Sequence, residues 1–127
     1  MKREFIAPEG LFEPMGWSHA IKVDKTIYLA GMVGFDEQRN VVAGGFEAQT
    51  IKTFENIKLT LEAAGASLKD VVKLTVYVTD MDNIARFREI RGRYFSPPMP
   101  ASTGVEVSSL ILPELLVEIE AIAVVEK

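Results

Sequence analysis

The sequence contains no cysteine and only one histidine, His19. A chain without cysteine has no disulfide framework, no thiolate nucleophile and no zinc or iron–sulfur site built on thiolates. One histidine alone cannot form a histidine-based metal site or serve several proton-transfer steps. We therefore expect no bound metal and no cofactor. His19 is either a structural residue, which is the more common case for a single histidine, or part of a functional site.

Excess positive charge and long apolar runs are missing too. The formal net charge is −4, which disfavours non-specific nucleic-acid binding because such binding depends on basic surface. No window approaches the ~20 apolar residues of a membrane span, and no apolar run of signal-peptide length follows Met1. We expect a cytoplasmic protein with neither a membrane nor a nucleic-acid partner.

What is present is an ordinary globular composition. The 127 residues are 48% apolar and 25% charged, which fits one domain over residues 1–127. Alternating apolar residues and turn residues predict six strands. Their ranges are 2–7, 17–23, 26–30, 71–79, 100–108 and 115–125. In the strand at 71–79, strict alternation predicts that Val72, Leu74, Val76 and Val78 share the core face.

Apolar residues at helical spacing predict two helices, over 46–64 and 83–95. Gly65 is a helix stop of the type that ends many helices, and Pro97 prevents the second helix from continuing. Two strand–helix–strand segments predict two helices on one face of a single mixed sheet, an α+β two-layer domain. The other face would be uncovered, and since it carries apolar residues we expect another subunit to hide it.

Two acids interrupt the last, most apolar strand. Because strand side chains alternate, Glu118 and Glu120 share one face, and Val117, Ile119, Ala121 and Ala123 share the other. One interpretation is a solvated face with basic neighbours. The other is that a carboxylate lines a cleft and acts as a general base or holds a water molecule.

Two further groups allow a structural and a functional interpretation. Gly31 and Gly34 follow the third strand and mark either a turn or bulge, or a place where backbone approaches a ligand. The second helix carries four arginines, which form either an ion-paired solvated face or, through Arg88 or Arg91, an anion site in a cleft. These four residues are Arg86, Arg88, Arg91 and Arg93.

Three segments carry a family resemblance. Residues 61–73 and 76–81 resemble the signature of the RidA/YjgF family, and so does 117–124; the similarity extends from about Gly16 to Val124. It implies a chorismate-mutase-like fold and a homotrimer with clefts between subunits. Members of that family include deaminases of reactive imines and enamines such as 2-aminoacrylate, and relatives described as 2-aminomuconate deaminases or endoribonucleases.

The resemblance also implies a set of site residues. Glu118 matches the glutamate that holds the attacking water, and Gly31 matches as well. Trp17 stands where active deaminases usually have tyrosine, and it would keep an aromatic wall. Ala30 stands where serine is common, so a hydroxyl is missing.

The remaining implied residues depart further from the family pattern. Arg88 stands where asparagine is common, and Gly104 where cysteine or a small residue is found. Ser102, within Pro100-Ala101-Ser102-Thr103, replaces the arginine that grips the substrate carboxylate. We therefore expect a substrate different from that of standard 2-imino acid deaminases. Arg88 is a candidate for restoring the cation from another direction.

Three functions are compatible with these residues. The first is hydrolytic deamination of a small imine, enamine or amino-unsaturated acid, with water positioned by Glu118. The second is a non-catalytic metabolite-binding module that uses the same cleft. The third, RNA cleavage or inhibition of translation, is disfavoured by the acidic charge and the single histidine.

Overall fold

The computed structural model describes residues 1–126, and Lys127, the last residue of the expected domain 1–127, lies outside this range. Six strands form one sheet in the order β1-β2-β3-β6-β4-β5. The strands are β1 (Arg3–Ile6), β2 (Ala20–Val23), β3 (Thr26–Leu29), β4 (Val71–Val78), β5 (Ala101–Glu106) and β6 (Val117–Val124). Helix α1 spans Gly45–Ala63 and helix α2 spans Ile84–Arg91.

The sheet is mixed. Strands β4 and β5 are parallel and are joined through α2, whereas all other neighbouring strands are antiparallel. Strand β6 lies between β3 and β4, in the middle of the sheet. Its small apolar face, with Ile119 and Ala123 fully buried, packs in the same core as α1 and α2. The predicted α+β architecture, a six-stranded mixed sheet with two helices, is confirmed.

Helix α1 forms because its apolar residues recur on one stripe. Phe54, Ile57 and Leu61 are completely buried, as the spacing predicted. The Phe54 ring stacks on Tyr94 with ring centroids 4.9 Å apart. Gly65 follows the helix with φ of +81°, a left-handed conformation that favours glycine, so the expected helix stop is confirmed.

Helix α2 is shorter than the predicted range 83–95. After Arg91 the backbone tightens into turns, because Arg93 N–H donates to the Ile90 carbonyl (2.9 Å) and Tyr94 N–H donates to the Arg91 carbonyl (3.0 Å). Tyr94 still packs on the core, and its hydroxyl donates to Glu55 at 2.9 Å. Within residues 1–126, no helix combines the length and the apolarity that crossing a membrane requires.

The expected side-chain alternation in β4 is wrong at Val72. A bulge shifts the pairing between β4 and β6 at Val71 and Lys73. The extra residue reverses the phase of the alternation, so Val71 is buried and Val72 is 47% exposed. From Leu74 to Val78 the alternation holds as predicted.

The expected strand at 17–23 begins later, at Ala20, and Trp17 lies in a bend before it. The preceding loop folds back because the His19 ring nitrogen Nε2 donates to the Phe12 carbonyl at 2.8 Å. Phe12 is buried and packs edge-on against Phe35, with centroids 5.1 Å apart. His19 is itself 2% exposed, so its role is structural: it anchors this apolar loop to the sheet.

Candidate functional site

A cavity of about 330 Å³ opens beside the central strand β6, and we call it the Glu118 cavity. Its walls come from the 12–17 loop, the end of β3, the loop after it and the 111 region. The lining residues are Phe12, Trp17, Ala30, Gly31, Val33, Phe35, Arg39, Ile111 and Glu118. The predicted site residues Trp17, Ala30, Gly31 and Glu118 thus lie together.

Gly31 makes room for the Glu118 side chain. A Cβ atom at Gly31 would lie 1.9 Å from Glu118 Oε2, so no other residue fits while the carboxylate keeps this position. At Gly34 a side chain is excluded by another contact, since a Cβ there would lie 2.8 Å from Gln49 Cα in α1. Neither glycine has positive φ. Both positions are close approaches between parts of the protein, and the one at Gly31 shapes the cavity.

The two acids of β6 have different surroundings. Glu120 accepts a hydrogen bond from the Tyr77 hydroxyl at 2.7 Å, which raises the pKa of Tyr77. Glu118 is half-buried, and among residues 1–126 nothing donates a hydrogen bond to its carboxylate. Burial raises the pKa of Glu118 above its ordinary value, and the nearby charge of Glu120 adds to the increase. Of the two acids, Glu118 is therefore the one whose carboxylate accepts no hydrogen bond from residues 1–126.

The aromatic residues of the cavity wall surround a cation that the sequence patterns did not indicate. The Arg39 guanidinium lies 5.8 Å from the Phe12 ring centroid, 5.7 Å from that of Trp17 and 5.9 Å from that of Phe35. Arg39 sits in the polar turn that follows Gly34. In the sequence, the only hint of this role is that Arg39 follows Gly31 and Gly34 closely. Only the folded turn shows that the Arg39 side chain lines the cavity.

A second cavity, of about 450 Å³, lies between α2 and β5, and we call it the Arg88 cavity. It is lined by Val76, Met81, Ile84, Phe87, Arg88, Arg91, Ser102 and Gly104. Arg88 is exposed, and the Arg91 guanidinium lies 5.5 Å from the Phe87 ring centroid. Arg91 Nε is buried and has no hydrogen-bond partner among residues 1–126.

The other two arginines of α2 belong to an ion-paired surface. Arg86 forms a salt bridge with Glu47 of α1, and Arg93 lies 3.6 Å from the same carboxylate. Arg86 holds the pKa of Glu47 below its ordinary value. The solvated interpretation is therefore confirmed for Arg86 and Arg93, whereas Arg88 and Arg91 line a cavity.

The two cavities lie on opposite faces of the sheet. Gly104 pairs with the buried Val76 and approaches Ile84 of α2, so it belongs to the helix side. Glu118 pairs with Tyr77, the next residue of β4, and belongs to the uncovered side. Within one chain the structure therefore separates Arg88, Ser102 and Gly104 from the Glu118 cavity.

Among residues 1–126 no group of three or more acidic or histidine side chains could hold a metal ion. The fold and the Glu118 cavity define a small α+β protein in which a half-buried acid faces a ligand-sized aromatic cavity.

The sequence profile of a family described as Endoribonuclease L-PSP matches residues 12–125. A RutC family protein of Pyrococcus abyssi is 45% identical over 97% of this chain and 98% of its own length. A 2-iminobutanoate/2-iminopropanoate deaminase of Mus musculus is 38% identical over 85% of this chain and 80% of its own.

Comparison with solved structures leads to the same family. The crystal structure of RidA from an Antarctic Psychrobacter species matches with a TM-score of 0.90 and 40% identity, covering 96% of this chain and 99% of that one. The chain belongs to this family, the RidA/YjgF or endoribonuclease L-PSP family, as the sequence resemblance indicated.

Proposed function

We propose that the protein hydrolyses a small imine, enamine or amino-unsaturated acid, with Glu118 as the catalytic residue. The observation that carries this proposal is the state of Glu118: a half-buried carboxylate of raised pKa, without a hydrogen-bond donor among residues 1–126, facing a cavity of about 330 Å³. A raised pKa suits an acid that must both accept and return a proton near neutral pH. The name of the mouse relative, an imine deaminase, supports the same class of reaction.

The reaction balances with one water molecule. Glu118 accepts a proton from water as the water oxygen bonds to the imine carbon and the carbon–nitrogen double bond becomes single. The protonated acid then returns the proton to the nitrogen, which gives a neutral carbinolamine. As the carbon–nitrogen bond breaks, Glu118 accepts the hydroxyl proton and passes it to the nitrogen, so a carbonyl compound and ammonia leave. An enamine substrate first takes a proton on carbon to become the imine. Trp17 supplies an aromatic wall that limits access of bulk water.

Replacing Glu118 by glutamine tests this role. Gln is nearly the same size but does not accept the proton, so turnover should fall to the uncatalysed rate while the assembly stays intact. The assay follows release of the oxo acid from imines that an amino-acid oxidase generates in solution. 3-Aminoacrylate is assayed as a second substrate. The matched variant is Glu120→Gln. It removes the neighbouring carboxylate, which already accepts a hydrogen bond from the Tyr77 hydroxyl. Full turnover by Glu118→Gln would remove Glu118 from the mechanism.

We also propose that the complete cleft forms between subunits of a homotrimer. One copy would supply Trp17, Ala30, Gly31 and Glu118, and its neighbour Arg88, Ser102 and Gly104, because a single chain holds the two groups in separate cavities. The uncovered sheet face supports assembly, since Tyr28 is 49% exposed and Val124 is 40% exposed there. Light scattering measures the number of copies.

Mixing two inactive variants tests the shared cleft directly. Glu118→Gln damages one half, and Ser102→Trp blocks the other from an exposed edge-strand position. Refolded together, some neighbours would combine an intact Glu118 with an intact Ser102, so activity should reappear. Activity that stays absent in mixed oligomers of confirmed composition would show that each cleft is complete within one chain.

A non-catalytic binding module of the same fold is the second candidate. The observation that favours it is Ala30, which lines the Glu118 cavity without a hydroxyl. Ligand-induced thermal shifts with no product detectable by mass spectrometry would select this alternative. RNA cleavage has less support, because His19 is buried and hydrogen-bonded to Phe12 rather than available to a phosphodiester.

A further inference from the structure

We propose that Arg39 binds the carboxylate of the substrate in the Glu118 cavity and thereby selects acids over neutral compounds. The inference extends the proposed function, because it assigns a second residue and a required charge to the same cavity. Arg39 lines that cavity together with Glu118 and Gly31. It comes from the same chain as Glu118, whereas Arg88 lies in the other cavity.

The turn that carries Arg39 is rigidly built. Asp36 Oδ1 accepts hydrogen bonds from the backbone N–H groups of Gln38 and Asn40, both at 2.9 Å. The Asp36 carbonyl accepts from Arg39 N–H at 3.0 Å, and Phe35 pairs with Val41 at the base of the turn. The guanidinium therefore starts from a fixed backbone position above the aromatic wall.

The backbone at Arg39 is itself unusual. Its φ is +65°, in the left-handed region that asparagine and glycine tolerate better than arginine does. Non-glycine residues in such conformations concentrate at functional sites. Asparagine or glycine would adopt this conformation at lower cost, so the backbone of the turn gives no reason for an arginine here.

The guanidinium is available to an anion. Among residues 1–126 it forms no salt bridge, and its one side-chain hydrogen bond goes to Met15 Sδ, at 2.9 Å. Thioether sulfur is a weak acceptor that a carboxylate would replace. The three surrounding rings restrict the motion of the guanidinium, which lowers the entropy lost when it binds.

Charge supplies the reason for a ligand of this class. Glu118 alone would repel an anionic substrate, and Arg39 is the only cation that its own chain, within residues 1–126, brings to this cavity. Arginine matches a carboxylate with two parallel hydrogen bonds. A small amino-unsaturated acid would place its carboxylate at Arg39 and its reactive carbon toward Glu118 and Gly31.

The test compares an acid with its uncharged amide. We expect wild type to bind 2-oxobutanoate more tightly than 2-oxobutanamide in calorimetric titrations. Arg39→Asn removes the guanidinium and suits the positive φ, so the fold should persist. The variant should lose roughly ten- to a hundredfold in affinity for the acid, as the loss of a charge-assisted hydrogen-bond pair predicts. Its affinity for the amide should stay within about twofold.

Three further variants complete the design. Arg3→Gln removes the same charge from the exposed edge strand β1 and should leave both affinities unchanged. Arg39→Lys keeps the charge without the two-pronged geometry, so part of the acid preference should return. If Arg88→Gln abolishes the preference and Arg39→Asn does not, the assignment to Arg39 is wrong. Equal binding of acid and amide by wild type would also overturn it.

Failure of this proposal is distinguishable from failure of the proposed function. Turnover that depends on Glu118 but shows no acid preference through Arg39 removes only the Arg39 assignment. An acid preference that depends on Arg39, in a protein without any turnover, keeps the anion site and removes the hydrolytic reaction. The two titrations need no catalysis, so they report on Arg39 in either case.

Discussion

Replacing Gly31 by alanine puts a methyl group where the Glu118 carboxylate now lies. The new Cβ would be 1.9 Å from Glu118 Oε2 and 2.8 Å from its Cδ. The carboxylate oxygen must move by about 1.6 Å to reach an ordinary contact distance of roughly 3.5 Å. A catalytic group displaced by about 1 Å can lose roughly 100-fold in rate, so we expect a comparable fall in kcat/KM.

The fold should survive this change, because the group that must give way is the end of a flexible side chain. Thermal unfolding and light scattering should match wild type, while release of oxo acid from solution-generated imines drops. The matched control is Gly92→Ala, where the added Cβ meets only backbone carbonyl oxygens at 3.4 and 3.6 Å. Undiminished turnover by a folded Gly31→Ala protein would refute the idea that the position of the Glu118 carboxylate determines catalysis.

Other consequences of the structure can be measured as stability. Gly34→Ala places a Cβ 2.8 Å from Gln49 Cα, where only backbone can yield, so we expect a loss of about 1–3 kcal/mol in urea unfolding. Phe54→Ala empties a fully buried ring site and should cost about 3–5 kcal/mol, whereas Leu59→Ala on the exposed side of α1 should cost far less. Burial raises the pKa of Glu118 in the folded protein. The folded state therefore loses stability as the pH rises from the unfolded carboxyl pKa of about 4.3 through the raised pKa of the folded state. Glu118→Gln should therefore unfold at a higher temperature than wild type at neutral pH, and this advantage should vanish below the unfolded carboxyl pKa; an advantage that instead grows with acidity would contradict the assignment.

Local patterns were sufficient for the regular elements. The apolar stripe through Phe54, Ile57 and Leu61 predicts α1 because a helix repeats its faces every 3.6 residues. The alternation in β6 places Glu118 and Glu120 opposite Ile119 for the same kind of reason, since strand faces repeat every two residues. These rules fail where an insertion changes the phase, as the bulge does at Val72.

Irregular segments could not be predicted in this way. Trp17 reads as part of a strand, yet the hydrogen bond between His19 and the Phe12 carbonyl folds that segment into a loop. Helix α2 ends at Arg91 because tight turns replace the helix there. The composition of this segment does not reveal whether the helix or the turns will form. Arg39 reaches the cavity only because a short turn holds its backbone at positive φ.

Repeats and neighbours along the chain were sufficient to predict the family, the helix and strand types and the face on which Glu118 lies. Which of the two acids accepts a hydrogen bond within residues 1–126 depends on the fold, since Tyr77 reaches Glu120 from an adjacent strand. The fold also decides which cation shares the cavity with Glu118. Such pairings join residues far apart in sequence, and their distances are set by sheet register and turn geometry rather than by local composition.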